Sequence, residues 1–284
     1  MKTYIITGGN SGLGFETARR IAKTDSHIIL ACRNVAKGQA AAETIKQESG
    51  NQNIDVRKLD LASLRSVREF ANSLEGISID ALDNNAGISG QHTGITEDGF
   101  DVVFQSNYLG HFLLTLLLLP QMTEQARILN VSSDMHNSPF VDLEWRDLDS
   151  IIYPTDDTMG LRYYYSKLFN LYFTYELDRQ LQAQGKEILV NAFNPGFMAD
   201  TNLAGGHITP ERIEHVKQTM PDRYSELPLS ADAVADILTQ KDFATISGQY
   251  FDRSTQTVQS SKLSYHADHA KELWEASLKL VGEV

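Results

Sequence analysis

The chain has little of what would mark a secreted, membrane or multidomain protein. Its single cysteine, Cys32, excludes an internal disulfide and favours a reducing compartment. The 284 residues include only 7 prolines, and no Pro/Gly/Ser-rich stretch is long enough to act as a linker. The first predicted strand begins by residue 3, which leaves no room for a signal peptide. The apolar run 112–119 is too short to span a bilayer, so we expect a buried helix there and a cytoplasmic protein.

Positive charge is also scarce, since 25 lysines and arginines face 37 aspartates and glutamates, for a formal net charge of −12. Such a surface repels phosphate backbones and anionic lipid, so we expect neither nucleic acid nor a membrane as partner. The composition, 42% hydrophobic and 22% charged, is ordinary for a globular protein. Because neither a linker nor an internal repeat is evident, we predict one domain over residues 1–284.

Short apolar runs alternate with helical patterns along the chain. This alternation predicts an α/β fold, a Rossmann-type doubly wound parallel sheet of about seven strands with helices on both faces. Ligands bind such sheets at the C-terminal ends of the strands. The predicted strands are 4–6, 27–31, 54–59, 81–84, 127–131, 188–193 and 248–251, and the predicted helices are 12–24, 36–48, 63–74, 98–122, 162–184 and 230–239.

Two segments do not fit the alternation, and a further helical stretch ends the chain. Residues 134–161 form a polar and aromatic insertion, which we predict to lie on the substrate side. Residues 201–228 are a loop-and-helix excursion, predicted to be a lid, because long loops in compact domains are usually functional. Residues 266–281 have the pattern of an amphipathic helix, predicted to dock on the domain.

A glycine-rich turn follows the first strand directly. Glycine allows tight backbone angles and close approach to a pyrophosphate, and the next helix offers free N–H groups at its N-terminus. The spacing is G-x-x-x-G-x-G, and an ordinary structural turn is the alternative. The candidate cofactor residues in this turn are Thr7, Gly8, Asn10, Ser11, Gly12, Leu13 and Gly14.

Tyr163 and Lys167 are four residues apart on a predicted helix and therefore share a face. An ammonium group beside a phenol favours the phenolate and lowers the pKa of the phenol. Tyr163 is thus a candidate proton donor to a carbonyl. Tyr164 is also within one turn of Lys167, so spacing alone leaves both tyrosines open. An amphipathic helix with aromatic packing is the non-catalytic alternative.

Together, the turn and the Tyr-x-x-x-Lys pair resemble the short-chain dehydrogenase/reductase family. Five further stretches occur in the family's order over roughly residues 1–200: Asp60-Leu61, Asn84-Asn85-Ala86-Gly87, Asn107-Tyr108-Leu109-Gly110, Asn130-Val131-Ser132-Ser133 and Asn194-Pro195-Gly196. The resemblance implies further cofactor contacts from Asp60, Leu61, Asn85, Ala86, Gly87, Tyr163, Lys167, Pro195, Gly196 and, displaced from its usual place, Thr201.

The resemblance also implies catalytic roles. Ser133 would hold the substrate carbonyl oxygen, and Tyr163 would protonate it. Lys167 would bind the nicotinamide ribose and bias the tyrosine, and Asn107 would anchor a water in the proton relay. Ser132 is the other candidate serine, but strand alternation points the two serines to opposite faces.

The end of the second strand bears on the choice of cofactor. An NAD enzyme usually places a carboxylate there for the ribose 2′-hydroxyl. This chain has none between Asp25 and Glu43 and offers Arg33 instead, followed by Asn34. A guanidinium suits a 2′-phosphate, so we predict NADP(H), with Arg33 and Asn34 among its contacts. A solvated surface arginine is the alternative.

Within the family, the chain is most similar to the branch of retinol dehydrogenases and light-dependent protochlorophyllide reductases. The similarity lies in Ala31-Cys32-Arg33-Asn34, in the Asn-Tyr-Leu-Gly-His-Phe helix that begins at Asn107, in the 30-residue gap from Ser133 to Tyr163, and in the tail 270–282. The light-dependent reductases carry a cysteine directly after the Pro-Gly pair, where this chain has Phe197. This difference favours a carbonyl reductase that needs no light.

We therefore expect an oxidoreductase that reduces a ketone or aldehyde with NADP(H). Trp145, Tyr153 and the tyrosine cluster suggest that the substrate is lipophilic. One rival is an NADP(H)-binding sensor or scaffold without turnover, which the complete Ser/Tyr/Lys/Asn set argues against. A protochlorophyllide-type pigment reductase is the other, and Phe197 disfavours it.

Several properties are left open by the sequence. They include the substrate, the stereochemistry, the physiological direction and the role of Asp83, a carboxylate at a strand position that is normally apolar. A homo-oligomer is only the default expectation from the family. His266 and His269 are three residues apart, but no third ligand is evident, so we predict no metal site.

Overall fold

The computed structural model describes residues 1–199, 201, 203 and 208–284. Within them, eight strands form one sheet in the order β3-β2-β1-β4-β5-β6-β7-β8. Their bounds are β1 (Lys2–Thr7), β2 (Ser26–Cys32), β3 (Ile54–Lys58), β4 (Ile79–Asn84), β5 (Met122–Val131), β6 (Leu189–Asn194), β7 (Tyr250–Asp252) and β8 (Thr257–Val258).

The first seven strands are parallel, as the alternation of strands and helices predicts, and β8 is antiparallel to β7. The sequence prediction of seven strands misses β8. This strand has two residues, both exposed, at the edge of the sheet, so it leaves no apolar run to detect.

Ten α-helices within the described residues flank the sheet. Their bounds are α1 (Gly12–Ile21), α2 (Val35–Ser49), α3 (Leu64–Asn72), α4 (Val102–Phe104), α5 (Gly110–Leu118), α6 (Asp149–Ile152), α7 (Arg162–Ala183), α8 (Pro210–Thr219), α9 (Leu227–Thr239) and α10 (Ala267–Val281).

Each face of the sheet has its own apolar core. Ile5 lies on the side of α3, α5 and α7 with Phe112 and Phe169, whereas Ile6 lies on the side of α1, α2 and α9 with Val234. Successive residues of a strand point to opposite faces, so a strand covered on both sides is apolar throughout. This double burial is why the strands are short apolar runs in the sequence.

The long helix predicted over 98–122 is wrong in its bounds and in its continuity. α4 begins at Val102, because the Asp101 carboxylate caps it by accepting the N–H groups of Val103 and Phe104 at 2.9 and 3.0 Å. A π-helical segment, Gln105–Leu109, joins α4 to α5, and a 3₁₀ turn ends the helical stretch. Met122 already belongs to β5.

Among the described residues, one helical stretch, Val102–Gln121, is long and apolar enough to cross a membrane when judged by length and composition alone. Its most apolar window is 78% buried inside the protein. A core helix has these same properties, and the stretch packs between the sheet and neighbouring helices.

The two long connections contain short helices. The insertion 134–161 includes α6 and the 3₁₀ turns Asp134–Asn137 and Met159–Leu161. The predicted lid, 201–228, falls partly outside the described residues, at 202 and 204–207. Its described part holds α8, a 3₁₀ turn over Pro221–Arg223 and the start of α9. The predicted tail helix is confirmed as α10.

Candidate functional site

The strand order changes direction between β1 and β4, and the loops that follow these two strands lie side by side at the C-terminal edge of the sheet. The glycine turn follows β1, and Asn85-Ala86-Gly87 follows β4. A reversal of strand order opens a crevice between neighbouring loops, where doubly wound sheets bind ligands. The glycine turn and the residues after β4 therefore meet at the place where the fold provides a crevice.

Thr7 holds the two loops together. Its hydroxyl oxygen accepts the backbone N–H groups of Asn85 and Ala86, each at 2.9 Å. In return, the Asn85 side-chain amide donates to the Thr7 carbonyl at 2.8 Å. Thr7 is fully buried, so these hydrogen bonds fix the turn after β1 against the loop after β4.

The glycines of the turn are required by geometry. Gly8 and Gly12 have φ of +68° and +55°, in the region that side chains disfavour. A Cβ on Gly14 would lie 2.5 Å from the Asn85 side-chain nitrogen, so only glycine lets α1 approach this loop. Ser11, the exposed residue before α1, does not cap the helix with its side chain. The first N–H groups of this ten-residue helix thus fit the pyrophosphate of a dinucleotide.

The other residues of the turn are less exposed. Asn10 is half-buried, and Leu13 lies in the core under the turn. The Cys32 thiol is buried there as well, beside the backbone N–H groups of Gly9 and Asn10. Burial raises the pKa of this thiol to about 11, so it is protonated and unreactive at neutral pH.

Arg33 and Asn34 follow β2 and are exposed. The Asn34 side chain accepts the Lys37 N–H at 3.0 Å and caps α2, a structural task that the sequence prediction did not assign to it. Within the described part of the chain, the Arg33 guanidinium makes neither a hydrogen bond nor an ion pair, and the residue is exposed at the end of β2.

Asp60 and Leu61 follow β3, on the far side of β2. The Asp60 carboxylate accepts the Ala62 N–H at 3.1 Å and so shapes its own turn. The Leu61 side chain is buried, and its carbonyl lies so close to Gly110 that a Cβ there would be 2.5 Å away. Leu61 is thus a packing residue in this structure, whereas Asp60 borders an open groove of about 390 Å³.

Asn107 lies in the π-helical segment and is fully buried. Its side-chain oxygen accepts the Ile88 N–H at 2.7 Å, and its nitrogen donates to the Ile88 carbonyl at 2.9 Å and to Ser166 Oγ at 3.1 Å. The amide thus clamps the loop after β4 to α7. Its predicted role in holding a relay water stays a prediction.

A buried histidine, which sequence reasoning missed, joins Asn107 to Thr7. His111 Nδ1 lies 3.3 Å from the Asn107 carbonyl, and Nε2 lies 3.0 Å from Thr7 Oγ1. Burial lowers the pKa of His111 to about 3, so the ring is neutral at pH 7. Since a carbonyl can only accept, Nδ1 donates to Asn107 and Nε2 accepts from Thr7. In the sequence, the only local sign of this histidine's role is that a polar residue stands inside an apolar run.

The structure brings Tyr163, Lys167 and Ser133 together. Lys167 Nζ lies 5.5 Å from the centre of the Tyr163 ring, and the Ser133 hydroxyl is near enough to the Tyr163 phenol to lower its pKa. Tyr164 makes no hydrogen bond to these groups within the described chain. The Ser132 hydroxyl is engaged elsewhere, because it donates to the Lys167 carbonyl at 2.7 Å and anchors α7.

The electrostatics of the pair differ from the sequence expectation. Burial raises the pKa of the Tyr163 phenol, and the nearby Ser133 hydroxyl only partly opposes this. Lys167 is 3% exposed, its ammonium donates to the Val131 carbonyl at 3.0 Å, and burial lowers its pKa to about 8. In this structure, desolvation therefore outweighs the attraction between ammonium and phenolate.

A buried ion pair next to Tyr163 was also missed by sequence reasoning. Arg162 Nη1 lies 2.9 Å from Asp101 Oδ2, and the side chains are 4% and 3% exposed. The guanidinium also donates to the carbonyls of Gly90 at 2.9 Å and Met159 at 2.7 Å. It thereby fixes the start of α7 to the cap of α4 and to the loop after β4. Only tertiary contact reveals this pairing.

Pro195 and Gly196 follow β6. The Pro195 carbonyl accepts from Ser230 in α9 at 2.8 Å. Gly196 has φ of +73°, and a Cβ there would lie 2.8 Å from the Arg253 side chain. Thr201 reaches back over the turn after β1, because a Cβ on Gly12 would lie 3.6 Å from its methyl group. The structure thus brings Thr201 to the crevice.

Trp145, the tryptophan of the insertion 134–161, does not face the crevice. Trp145 stacks on His269 of α10 with ring centres 4.4 Å apart, and its ring meets the rings of Phe169 and Tyr172. Tyr172 is nine residues beyond Tyr163, which places it on the opposite side of α7. Trp145 is therefore a packing residue. The described residues contain no cluster of three potential metal ligands, His266 and His269 included.

Comparisons with known proteins agree with this architecture. A family model described as short chain dehydrogenase matches residues 2–143. Retinol dehydrogenase 13 of Homo sapiens is 38% identical over 99% of this chain and 85% of its own length. Short-chain dehydrogenase TIC 32 B, chloroplastic, of Brassica napus is 32% identical over 98% of this chain and 88% of its own.

Solved structures are similar as well. A crystal structure of an uncharacterized protein from Mycobacterium paratuberculosis is 33% identical, with a TM-score of 0.78 over 99% of this chain and 93% of its own. The 3-ketoacyl-(acyl-carrier-protein) reductase from Brucella melitensis, complexed with NADH, has a TM-score of 0.67 over 88% of this chain and 96% of its own. At 24% identity, the latter is similar in fold alone.

Proposed function

This chain belongs to the short chain dehydrogenase family, and we propose that it is an NADP(H)-dependent reductase of a ketone or aldehyde. Oxidoreductase activity with a nicotinamide cofactor follows from the family. The observation that carries the finer proposal is the convergence of Ser133, Tyr163 and Lys167 beside the loop after β4, which is joined to the glycine turn through Thr7.

The residues of the crevice fit a dinucleotide. The glycine turn and the N-terminus of α1 would hold the pyrophosphate, and Lys167 would reach the nicotinamide ribose. When bound, the nicotinamide supplies the hydride that reduces the carbonyl carbon. The remaining chemistry belongs to side chains of this chain.

Tyr163 is suited to give a proton to the carbonyl oxygen. Burial raises the pKa of its phenol, so the group is protonated at neutral pH, as a donor must be. The Ser133 hydroxyl lies beside that phenol and would hold the same oxygen. A buried ammonium at Lys167 would stabilise the phenolate that remains after the transfer.

The preference for NADP(H) rests on Arg33. Its guanidinium is exposed at the end of β2, and Asp25 and Glu43 are the nearest carboxylates along the chain on either side. Forked guanidinium donors match phosphate oxygens, whereas an NAD site usually offers a carboxylate to the 2′-hydroxyl.

We keep a lipophilic substrate as part of the proposal, but other residues now support it. Trp145 does not support a lipophilic substrate, because its ring packs on α10. The insertion does expose Phe140, Tyr153 and Met159, with 67%, 47% and 40% of their surface accessible. Met159 is also held to Arg162, next to Tyr163. One relative is a retinol dehydrogenase by name, and retinol is a lipophilic alcohol.

The function is tested by replacing Tyr163 with phenylalanine. NADPH consumption would be followed against a panel of aldehydes, ketones and quinones. We expect turnover to fall at least about 100-fold, because the proton donor is lost, while NADPH binding is nearly unchanged. Tyr164→Phe is the matched control and should keep its activity. Full turnover in Tyr163→Phe would remove this residue from the mechanism.

An NADP(H)-binding sensor or scaffold without turnover would give a different result in the same experiment. Tight NADPH binding with no turnover on any carbonyl would favour a sensor or scaffold. Loss of turnover in Tyr164→Phe, with Tyr163→Phe active, would move the proton donor to the neighbouring tyrosine.

The cofactor preference is tested by Arg33→Ala, measured as dissociation constants for NADPH and NADH. We expect NADPH to bind about tenfold more weakly or worse, because a charge-assisted hydrogen bond contributes about 1.5–3 kcal/mol. NADH should be little affected. Arg179→Ala, which removes a half-exposed arginine from α7, is the control. Equal losses for both cofactors would show that Arg33 does not bind the 2′-phosphate.

A further inference from the structure

The loop after β4, residues 85–94, runs along the two residues at the centre of the proposed reaction. A Cβ on Gly87 would lie 3.8 Å from Lys167 Nζ, and a Cβ on Gly90 would lie 3.0 Å from Tyr163 Cβ. Neither glycine has a positive φ, so the backbone conformation requires glycine at neither position. At Gly90 the requirement is one of space, because the chain passes Tyr163 where a side chain does not fit.

The contact with Gly90 is made by the root of the Tyr163 side chain. Carbon atoms in contact are normally about 3.5–4.0 Å apart, so a methyl group at 3.0 Å is too close. The tip of a long side chain could rotate away from such a methyl group. A Cβ cannot, because the backbone of α7 fixes its position. A side chain on Gly90 must therefore displace either the loop or the first turn of α7.

Arg162, the residue before Tyr163, binds the loop at the same point. Its Nη2 donates to the Gly90 carbonyl at 2.9 Å, and its Nη1 donates to Asp101 Oδ2 at 2.9 Å. Asp101 is itself fixed, because its other carboxylate oxygen caps α4. Both side chains are almost fully buried, so water does not compete for these hydrogen bonds. The guanidinium thus joins Gly90 to the start of α7 through a rigid support.

The loop is held a second time at Ile88, two residues before Gly90. The Asn107 side-chain amide accepts the Ile88 N–H at 2.7 Å and donates to the Ile88 carbonyl at 2.9 Å. The loop is therefore fixed at two points on the side of Tyr163. It cannot retreat from this tyrosine without breaking hydrogen bonds that are shielded from water.

We propose that Gly90 and the Arg162–Asp101 pair fix the position of the Tyr163 phenol, and that residue 90 must be glycine for this reason. A proton donor has to lie within hydrogen-bond reach of the oxygen that it protonates, and a small displacement of a reacting group lowers the rate steeply. Gly90, Arg162 and Asp101 are positioning residues, not catalytic ones. The inference rests on the proposed role of Tyr163 as the proton donor.

The test compares Gly90→Ala with Gly160→Ala on a substrate found in the carbonyl panel. Gly160 is exposed, has no positive φ, and a Cβ there would meet nothing within 4 Å, so it is a matched control. We expect kcat of Gly90→Ala to fall about tenfold, because the added methyl group displaces Tyr163. The dissociation constant for NADPH and the midpoint of urea unfolding should stay close to those of the wild type. Gly160→Ala should keep its kcat.

Arg162→Lys tests the same support from the other side. Lysine keeps a positive charge beside the buried Asp101 carboxylate, but it lacks the planar fork that binds Asp101 and the Gly90 carbonyl together. We expect a lower kcat with unchanged affinity for NADPH, and this variant decides the matter if Gly90→Ala does not fold. A purely structural role would lower the urea midpoint and leave kcat of the folded protein unchanged. That result would overturn the proposal.

Fluorine NMR of protein labelled with 3-fluorotyrosine follows Tyr163 without any turnover. The Tyr163 resonance, identified by its loss in Tyr163→Phe, should shift in Gly90→Ala and in Arg162→Lys and stay in place in Gly160→Ala. If the wild type reduced no carbonyl, these shifts would still support the proposed positioning, and only the proposed function would fail. An unshifted resonance in Gly90→Ala would refute the positioning while leaving the reductase activity standing.

Discussion

Asp83 is a carboxyl group inside an apolar core. It lies in β4 between Ile6 of β1 and Leu129 of β5, both of which belong to the core beneath α1 and α9. It is fully buried, and its oxygens have no hydrogen-bond partner within the described part of the chain. Burial raises the pKa of this carboxyl to about 8, because an unpaired charge is costly there.

Replacing Asp83 by valine should therefore stabilise the protein, and more so at higher pH. The folded chain holds a proton up to about pH 8, whereas an unfolded aspartate releases it near pH 4. Stability thus falls as the pH rises between these values, and valine removes that loss. We expect a gain of about 1–3 kcal/mol in the free energy of unfolding at pH 8.

Urea unfolding of both proteins at several pH values between 5 and 8.5 would measure this gain. Asp25→Val is the control, because the Asp25 side chain is 87% exposed and therefore lies outside the apolar core. A difference between wild type and Asp83→Val that does not grow with pH would show that the carboxyl is solvated or paired in solution.

At the scale of elements, α7 joins the site to the rest of the molecule. One side of this helix carries Tyr163 and Lys167, and the other packs against α10. Trp274 of α10 meets Phe112 of α5 and Phe173 of α7, with ring centres 5.1 and 6.1 Å apart. The C-terminal helix therefore supports the face of α7 that lies behind the catalytic residues.

Trp274→Ala should accordingly destabilise the protein, by about 3 kcal/mol, the lower end of the range for removing a packed tryptophan, since this one is only partly buried. Leu278→Ala, on the same helix at 38% exposure, is the matched control and should have a small effect. Urea unfolding would measure both. Equal effects would mean that α10 does not dock through Trp274.

At the scale of the whole molecule, the sheet order aligns the loops of six neighbouring strands along one edge. From β3 to β6 they present Asp60, Arg33, the glycine turn, Asn85 to Gly87, Ser133 and Pro195. A cofactor that spans this edge would place its two ends near β3 and β6. The single domain, the cytoplasmic location, the absence of nucleic-acid and membrane partners and any homo-oligomer stay predictions.

Much of this arrangement could be predicted from the sequence. The central parallel strands are largely buried on both faces, and such strands leave apolar runs that are visible without a structure. The glycine turn and the Tyr163–Lys167 spacing are local patterns, because backbone geometry and the helical period act over a few residues. The π-helical segment around Asn107 was missed, since its backbone hydrogen bonds depend on how the helix packs.

The sequence by itself therefore determined the fold class, the glycine turn after β1 and the spacing that puts Tyr163 and Lys167 on one face of α7. Only the tertiary structure decided which charges meet there. Arg162 pairs with Asp101 across 61 residues, and Arg223 pairs with Asp134 across 89. The tertiary structure also places Trp145 at the interface with α10, whereas the sequence suggested that it lines the substrate site. Such pairings depend on distances that exist only after the chain has folded, whereas local patterns depend on chemistry within one turn or strand.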